Sequence, residues 1–186
     1  MEVFGSLLSG RDLRGRDILT FVTVGNAVPG FNRLMEAIER LNEEGLLEKP
    51  VVVQHGNSTK IPRDCTSVSS LSHDEFGKYV AGASLIITHG GAGSIGRCLQ
   101  AGKKPIVVPR RKRFGEVVND HQVQLVSELE AQGRIFAAYE VSNLPSIVRI
   151  ARESRAAQSV VTGGEGVKAI VKDFLDRLAD GKAARG

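Results

Sequence analysis

One stretch constrains this chain more than any other. Ser84-Leu85-Ile86-Ile87-Thr88 is an apolar, largely β-branched run that feeds directly into His89-Gly90-Gly91-Ala92-Gly93-Ser94, and a helical pattern follows from Ile95. A strand that turns into a helix within so few residues leaves the first helical N–H groups unpaired, and glycine lets a ligand approach that backbone closely. The aligned peptide dipoles add partial positive charge at the same point. The expectation is an anion site, in particular for phosphate, at Gly90–Ser94. Gly91-Ala92-Gly93-Ser94-Ile95-Gly96 also reads as GxGxxG. A dinucleotide fold places that motif after its first strand, with an acid about 20 residues on. Here it follows the fourth predicted strand, and the downstream position falls in Arg110-Arg111-Lys112-Arg113. A basic cluster there suits the extra phosphate of NADP, which leaves an NADP-binding oxidoreductase as an alternative.

Strand and helix signals alternate along the chain. Strands are predicted at Ile18–Val24, Val51–Gln54, Thr66–Ser69, Ser84–Thr88, Pro105–Val108 and Arg134–Ala137. The first helix is opened by Pro29-Gly30, with Phe31, Leu34, Met35, Ile38 and Leu41 on one face. The second starts at a capping box formed by Ser72 and Glu75 and runs to about Ala81. The third follows the glycine cluster and ends at Gly102, and the fourth spans Asp120–Gln132 with Gly133 as its stop. Further helices are expected at Ser142–Arg152 and, beyond the glycine-rich Thr162–Gly166, at Val167–Leu178. The alternation predicts an α/β fold, a Rossmann-like parallel sheet with helices on both faces. Fully apolar strands such as Ile106-Val107-Val108 agree with burial on both sides. The expected organisation is an N-terminal extension over 1–16, one domain over 17–153, and a C-terminal tail with a terminal helix over 154–186.

Composition narrows the function classes. With 186 residues one domain is the prior, and the net charge of +4 with a pI near 9.3 allows an acidic ligand or an anionic surface without requiring either. There is no Trp, and no interleaving of basic and aromatic residues of the kind that grips single-stranded nucleic acid. Cys65 and Cys98 lack metal-ligand spacing and read as reduced thiols. No apolar run is long enough to cross a membrane, and Met1–Gly15 lacks the apolar core of a signal peptide.

Ligands of open α/β sheets sit at the carboxyl ends of the strands. Those ends carry Gly25-Asn26, His55-Gly56, His89-Gly90-Gly91 and Arg110, so four loops are expected on one rim. His89 is expected to position or hydrogen-bond a phosphate, and Arg110, nearest its strand, to bind one. His73, at a helix start, reads as a surface residue. Asp120 suits an N-cap, and His121 and Gln122 would then face the rim, Gln122 offering donor and acceptor to sugar hydroxyls. No Ser-His-Asp arrangement is discernible.

In order along the chain stand Phe21-Val22-Thr23-Val24-Gly25, Gln54-His55-Gly56, Ile87-Thr88-His89-Gly90-Gly91-Ala92-Gly93-Ser94-Ile95, Gly102-Lys103-Lys104-Pro105-Ile106-Val107-Val108-Pro109-Arg110, Phe114-Gly115-Glu116 and Asp120-His121-Gln122. Together they resemble the C-terminal domain of family 28 glycosyltransferases over about Asp17–Ile150. The stand-alone donor-binding subunits of the Alg13 kind, and of bacterial exopolysaccharide and capsule synthesis, are the most similar forms.

The resemblance implies one half of a GT-B glycosyltransferase that binds a UDP-sugar. The inverting enzyme would transfer a hexose or uronic acid to a polyprenyl-diphosphate-linked acceptor, without cofactor or metal. It implies a membrane-anchored acceptor-binding partner resembling Alg14, with this chain cytoplasmic and recruited through that partner to the inner face of the membrane. Nucleic acid is not among the implied partners. Carried over by motif, His89, Gly90, Gly91, Ala92, Gly93, Ser94 and Arg110 would hold the donor diphosphate. Asp120, His121 and Gln122 would touch the donor sugar, and Gly25, Asn26 and His55 would supply loop contacts. The general base is expected on the partner, so no catalytic residue is nominated. Two positions depart from the family pattern. A Glu that often holds the ribose, five residues before the helix-ending glycine, is Arg97 here, and Asn26 stands where Thr often follows the first-strand glycine. The substitution at Arg97 keeps a further alternative, a non-catalytic enhancer subunit.

Overall fold

The computed structural model describes residues 19–158; the expected extension over 1–16 and the terminal helix at Val167–Leu178 lie outside them. The strands are β1 (Thr20–Thr23), β2 (Val51–Gln54), β3 (Thr66–Val68), β4 (Leu85–His89), β5 (Ile106–Val108) and β6 (Phe136–Ala137). The helices are α1 (Asn32–Glu43), α2 (His73–Gly82), α3 (Ala92–Gln100), α4 (His121–Ala131) and α5 (Leu144–Gln158), with short 3₁₀ turns at Lys112–Phe114 and Val141–Asn143. The six strands form one sheet in the order β3-β2-β1-β4-β5-β6, and every pairing is parallel.

The side-chain period of two sorts the strands' residues onto two faces. Val22 is level with Val53 and Ile87, and Phe21 with Val52 and Ile86. Val22, Val53, Ile87, Ile106 and Val108 pack under Leu34, Met35, Ile38 and Leu41 of α1 and Leu144 and Val148 of α5. Phe21, Val52 and Ile86 meet Phe76, Tyr79 and Val80 of α2 and Cys98 of α3 on the other face. Alongside them, Val107 is covered by Ile95 and Leu99 of α3 and Leu125, Val126 and Leu129 of α4. The architecture is therefore α/β and Rossmann-like, with helices on both faces.

The helix ends follow their local chemistry. Ser72 accepts from the Glu75 amide while the Glu75 carboxylate accepts from the Ser72 amide, completing the predicted capping box. At the N-terminal edge of the sheet, Glu48 ties three elements together. Its carboxylate takes two hydrogen bonds from Arg155 of α5, both 2.8 Å, and one from the Ser84 hydroxyl ahead of β4, while its carbonyl accepts from Thr20 of β1. Burial works against the Glu48 charge, but the Arg155 and Ser84 hydrogen bonds outweigh it and hold the carboxyl below its ordinary pKa. α5 is thus clamped at the edge opposite the ligand rim. Cys98 is buried and Cys65 half-buried, and burial pushes their thiols up to about 12 and about 11.

Phe21 is fully buried, stacked on Tyr79 at 5.2 Å and edge-on to Phe76 at 5.5 Å. Phe21→Ala is expected to cost about 3–5 kcal/mol in chemical denaturation. Val28→Ala, at a residue 81% exposed, is expected to stay within about 0.5 kcal/mol.

Candidate functional site

The strand order reverses direction between β1 and β4, where the crossovers leave toward opposite faces of the sheet. Such a switch point opens a crevice outside the carboxyl ends of its two strands. A cleft of about 310 Å³ lies there, lined by Thr23, Gly25 and Asn26 after β1, Gln54 of β2, Leu71, His73 and Phe76 around the start of α2, and Gly93, Ser94 and Arg97 of α3. Gln54 fixes its floor. Its side-chain oxygen accepts from the Thr23 hydroxyl at 2.6 Å and the Gly25 amide at 3.1 Å, and its nitrogen donates to Asn26 Oδ1, the Ser69 carbonyl and the Gly25 carbonyl.

The glycine turn closes one side of the cleft. Gly91 is the N-cap of α3 and offers no side-chain cap, and the first amide with a backbone partner at this end is Ile95, which donates to the Gly91 carbonyl. The His89 imidazole is packed beneath the turn. A Cβ on Gly91 would come within 2.3 Å of His89 Nε2, and one on Gly25, at φ +67°, within 2.8 Å of Cε1. Both positions exclude side chains because the ring occupies their space. Burial, seconded by the charge of Arg110 and opposed by the Thr23 backbone, depresses the His89 pKa from 6.5 to about 4. His89 is therefore a neutral ring that shapes the turn from below. Gly93 is the contrary case: a Cβ there meets nothing within 4 Å.

Gln122 stands on the other flank of the turn, beyond β4. A Cβ on Gly90 would meet the Gln122 Cβ at 2.8 Å, and Gln122 Oε1 accepts from the Arg110 amide at 3.0 Å. The acceptor expected to face sugar hydroxyls is thus engaged, and the amide donors remain. His121 is exposed. Asp120 occupies the N-cap position of α4 without capping it, because its Oδ1 accepts instead from the Lys112 amide in the preceding 3₁₀ turn.

Arg110 is placed otherwise than as a phosphate ligand. It is 1% exposed, and its guanidinium donates to the carbonyls of Val24 (3.1 Å), Pro29 (2.7 Å) and Gly30 (3.4 Å), with the Phe31 ring 4.8 Å from Cζ. Burial lowers its pKa, with the Glu116 charge acting in the other direction. Glu116 accepts two hydrogen bonds from Arg33, each 3.0 Å, and one from the Arg111 amide. Of the rest of the basic run, Arg111 is half-buried and shares the Glu140 carboxylate with the exposed Arg113, and Lys112 is exposed. His55 is half-buried on the rim, its amide donating to the Val68 carbonyl. Asn26 and Gly25 stand on the cleft wall.

Residues 19–174 match the model of the glycosyltransferase family 28 C-terminal domain. The chain belongs to that family. It is 32% identical over 125 residues to the UDP-N-acetylglucosamine transferase subunit ALG13 of Yarrowia lipolytica, covering 60% of each protein. It is 29% identical to the human subunit of the same name over 62% of this chain. The chain spans only 60% and 10% of the length of these two relatives. The solution structure of an ALG13 aligns with a TM-score of 0.52 at 18% identity, over 75% of this chain and 88% of that one, which shows the shared fold.

For this family 28 domain, the sequence pointed to the glycine turn, Gly25 and Asn26. It gave no sign that Thr23, Leu71, His73 and Phe76 line the same cleft. They come from separate segments and have the look of core or surface residues. His73 was expected at the surface and is exposed there, while its position also borders the cleft. Among the described residues no group of three His, Cys, Asp or Glu stands together as a metal site, and no helix is long and apolar enough to cross a membrane.

The neutral His89 gives the fold a pH signature. Its pKa is lower in the folded chain than in the unfolded one, so its contribution is complete above about pH 6.5 and is lost as pH falls toward about 4. Thermal unfolding across that range is expected to show the decline, and His89→Asn to show a shallower one. Gly91→Ala is expected to destabilise the domain at every pH, since its methyl group must displace the ring.

Proposed function

We propose that this chain is the donor-binding subunit of a glycosyltransferase, taking a UDP-sugar in the switch-point cleft with the diphosphate on the Gly91–Ser94 turn. The observation that carries this reading is the meeting of two features at one place. A cleft large enough for a nucleoside opens between β1 and β4, and the uncapped start of α3 borders it. Backbone amides at such a helix start stabilise a departing diphosphate by fixed partial charges. Family membership supports transfer of a glycosyl group over the NADP-dependent alternative. The names of the relatives make UDP-N-acetylglucosamine the first donor to test, with other hexoses and uronic acids next.

The same reading assigns the acceptor to a second subunit. The relatives are themselves described as subunits, and among the described residues no Asp or Glu lines the cleft to serve as a carboxylate base. A membrane-anchored partner carrying a polyprenyl-diphosphate-linked acceptor fits this division, and a role in exopolysaccharide or capsule synthesis is its biological form. The chain would then work at the cytoplasmic membrane face through that partner.

Calorimetric titration of the purified chain with UDP and with NADPH tests the proposal. UDP is expected to bind, and Gly93→Asp to abolish binding while leaving the melting temperature near that of the parent, because the new carboxylate enters open space beside the phosphate. Binding of NADPH without UDP would overturn the reading.

A further inference from the structure

The cleft has a lopsided hydrogen-bonding inventory. Among the described residues its lining contains no carboxylate. The Gln54 side-chain oxygen already accepts twice, Asn26 Oδ1 accepts from Gln54, and the His73 carbonyl accepts from Arg97. What the wall still offers a ligand is mostly donors: the Ser94 hydroxyl, the Asn26 amide and the guanidinium of Arg97. A ligand seated against that wall must present acceptors, and best of all negative charge.

Arg97 is built to meet it. Its guanidinium stacks 4.9 Å from the Phe76 ring centroid, and Nη2 donates to the His73 carbonyl at 3.0 Å. These contacts hold the plane of the group at the cleft wall while occupying only part of its donor fork. Arg97 stands one turn after Gly93 and Ser94 on the same helix, and all three line the same cleft. The charge of Arg97 thus borders the same cleft as Gly93, where a Cβ would meet nothing within 4 Å and a ligand has room.

We infer that Arg97 is a specificity-determining ligand for the donor's phosphates, a fixed cation that makes this cleft select a nucleoside diphosphate over the bare nucleoside. The inference rests on the proposed binding of a UDP-sugar in this cleft. It assigns Arg97 to the charge of the ligand rather than to its ribose hydroxyls. A guanidinium that donates to phosphate oxygens gains from their charge, whereas one facing neutral hydroxyls makes ordinary hydrogen bonds.

The test is NMR titration of the full chain and of its Arg97→Ala and Arg97→Lys variants with UDP and with uridine. Loss of the charge-assisted bonds in Arg97→Ala is expected to weaken UDP by about tenfold to a hundredfold and leave uridine within about twofold. Arg97→Lys is expected to keep most of the preference for UDP, and added salt to weaken UDP binding more in the parent than in Arg97→Ala. The ratio of UDP to uridine affinity is read within each variant, so a general loosening of the cleft that weakens both ligands alike does not imitate the effect. An unchanged ratio in a folded Arg97→Ala variant, with UDP still bound by the parent, overturns the role of Arg97 and leaves the donor-subunit reading intact. Failure of the parent chain to bind UDP overturns that reading and this inference with it.

Discussion

The ligand rim depends on a charge that no ligand would touch. Arg110 sits inside the protein, where an unpaired guanidinium would be severely disfavoured. It is tolerated because Nη1 and Nη2 donate to three carbonyls of the Val24–Gly30 segment, its face lies on Phe31, and Glu116 is near enough to offset its charge. Glu116 is in turn held by Arg33 and by the Arg111 amide. The loop after β1 and the loop after β5 are thereby joined across the end of β4. The glycine turn between them cannot shift without disturbing this network. Removing one member would leave the others buried and unpaired, so the cost falls on the site's geometry as much as on stability.

That frame explains how the turn can consist almost wholly of glycine and still hold a shape. Glycine lowers the barrier to close approach but raises the entropy lost on ordering. The missing constraint comes from around the turn: His89 fills the space beneath Gly25 and Gly91, and Gln122 crowds Gly90 while binding the Arg110 amide. His89 can do this only as a neutral ring. Its burial beside Arg110 keeps it so, which means that the histidine nearest the expected phosphate contributes shape rather than charge.

Much of the fold was legible because it is written in short-range signals. The apolar strands, the Ser72–Glu75 capping box and the helix stops at Gly102 and Gly133, both at positive φ, each depend on residues a few positions apart. The direction of Arg110 was not legible. Four consecutive basic residues look alike from the sequence, and the carbonyls that draw the first of them inward lie some eighty residues upstream. Asp120 misled for a related reason: a good capping residue found a competing amide at Lys112, supplied by a 3₁₀ turn that the basic run gave no reason to expect. The cleft is a third case. Gln54 ends a strand, Phe76 belongs to a helix face and Arg97 to another, and only the 3-2-1-4 strand order gathers them.

The distribution of charge around the turn bears on how the proposed reaction would proceed. A diphosphate leaving group is best served by positive potential that is in place before the bond breaks, because reorganising dipoles during the reaction raises the barrier. The start of α3 supplies such potential from peptide units that cannot turn away. Arg97 adds a charge whose plane is already held by Phe76 and the His73 carbonyl. The side chains that fix the turn, His89 and Arg110, are buried, the first as a neutral ring beneath the glycines and the second donating to backbone carbonyls. Shape is thus assigned to the buried residues and charge to the helix start and the cleft wall, so the wall can change its ligand preference, as the arginine at position 97 does, without disturbing the frame that holds the glycines.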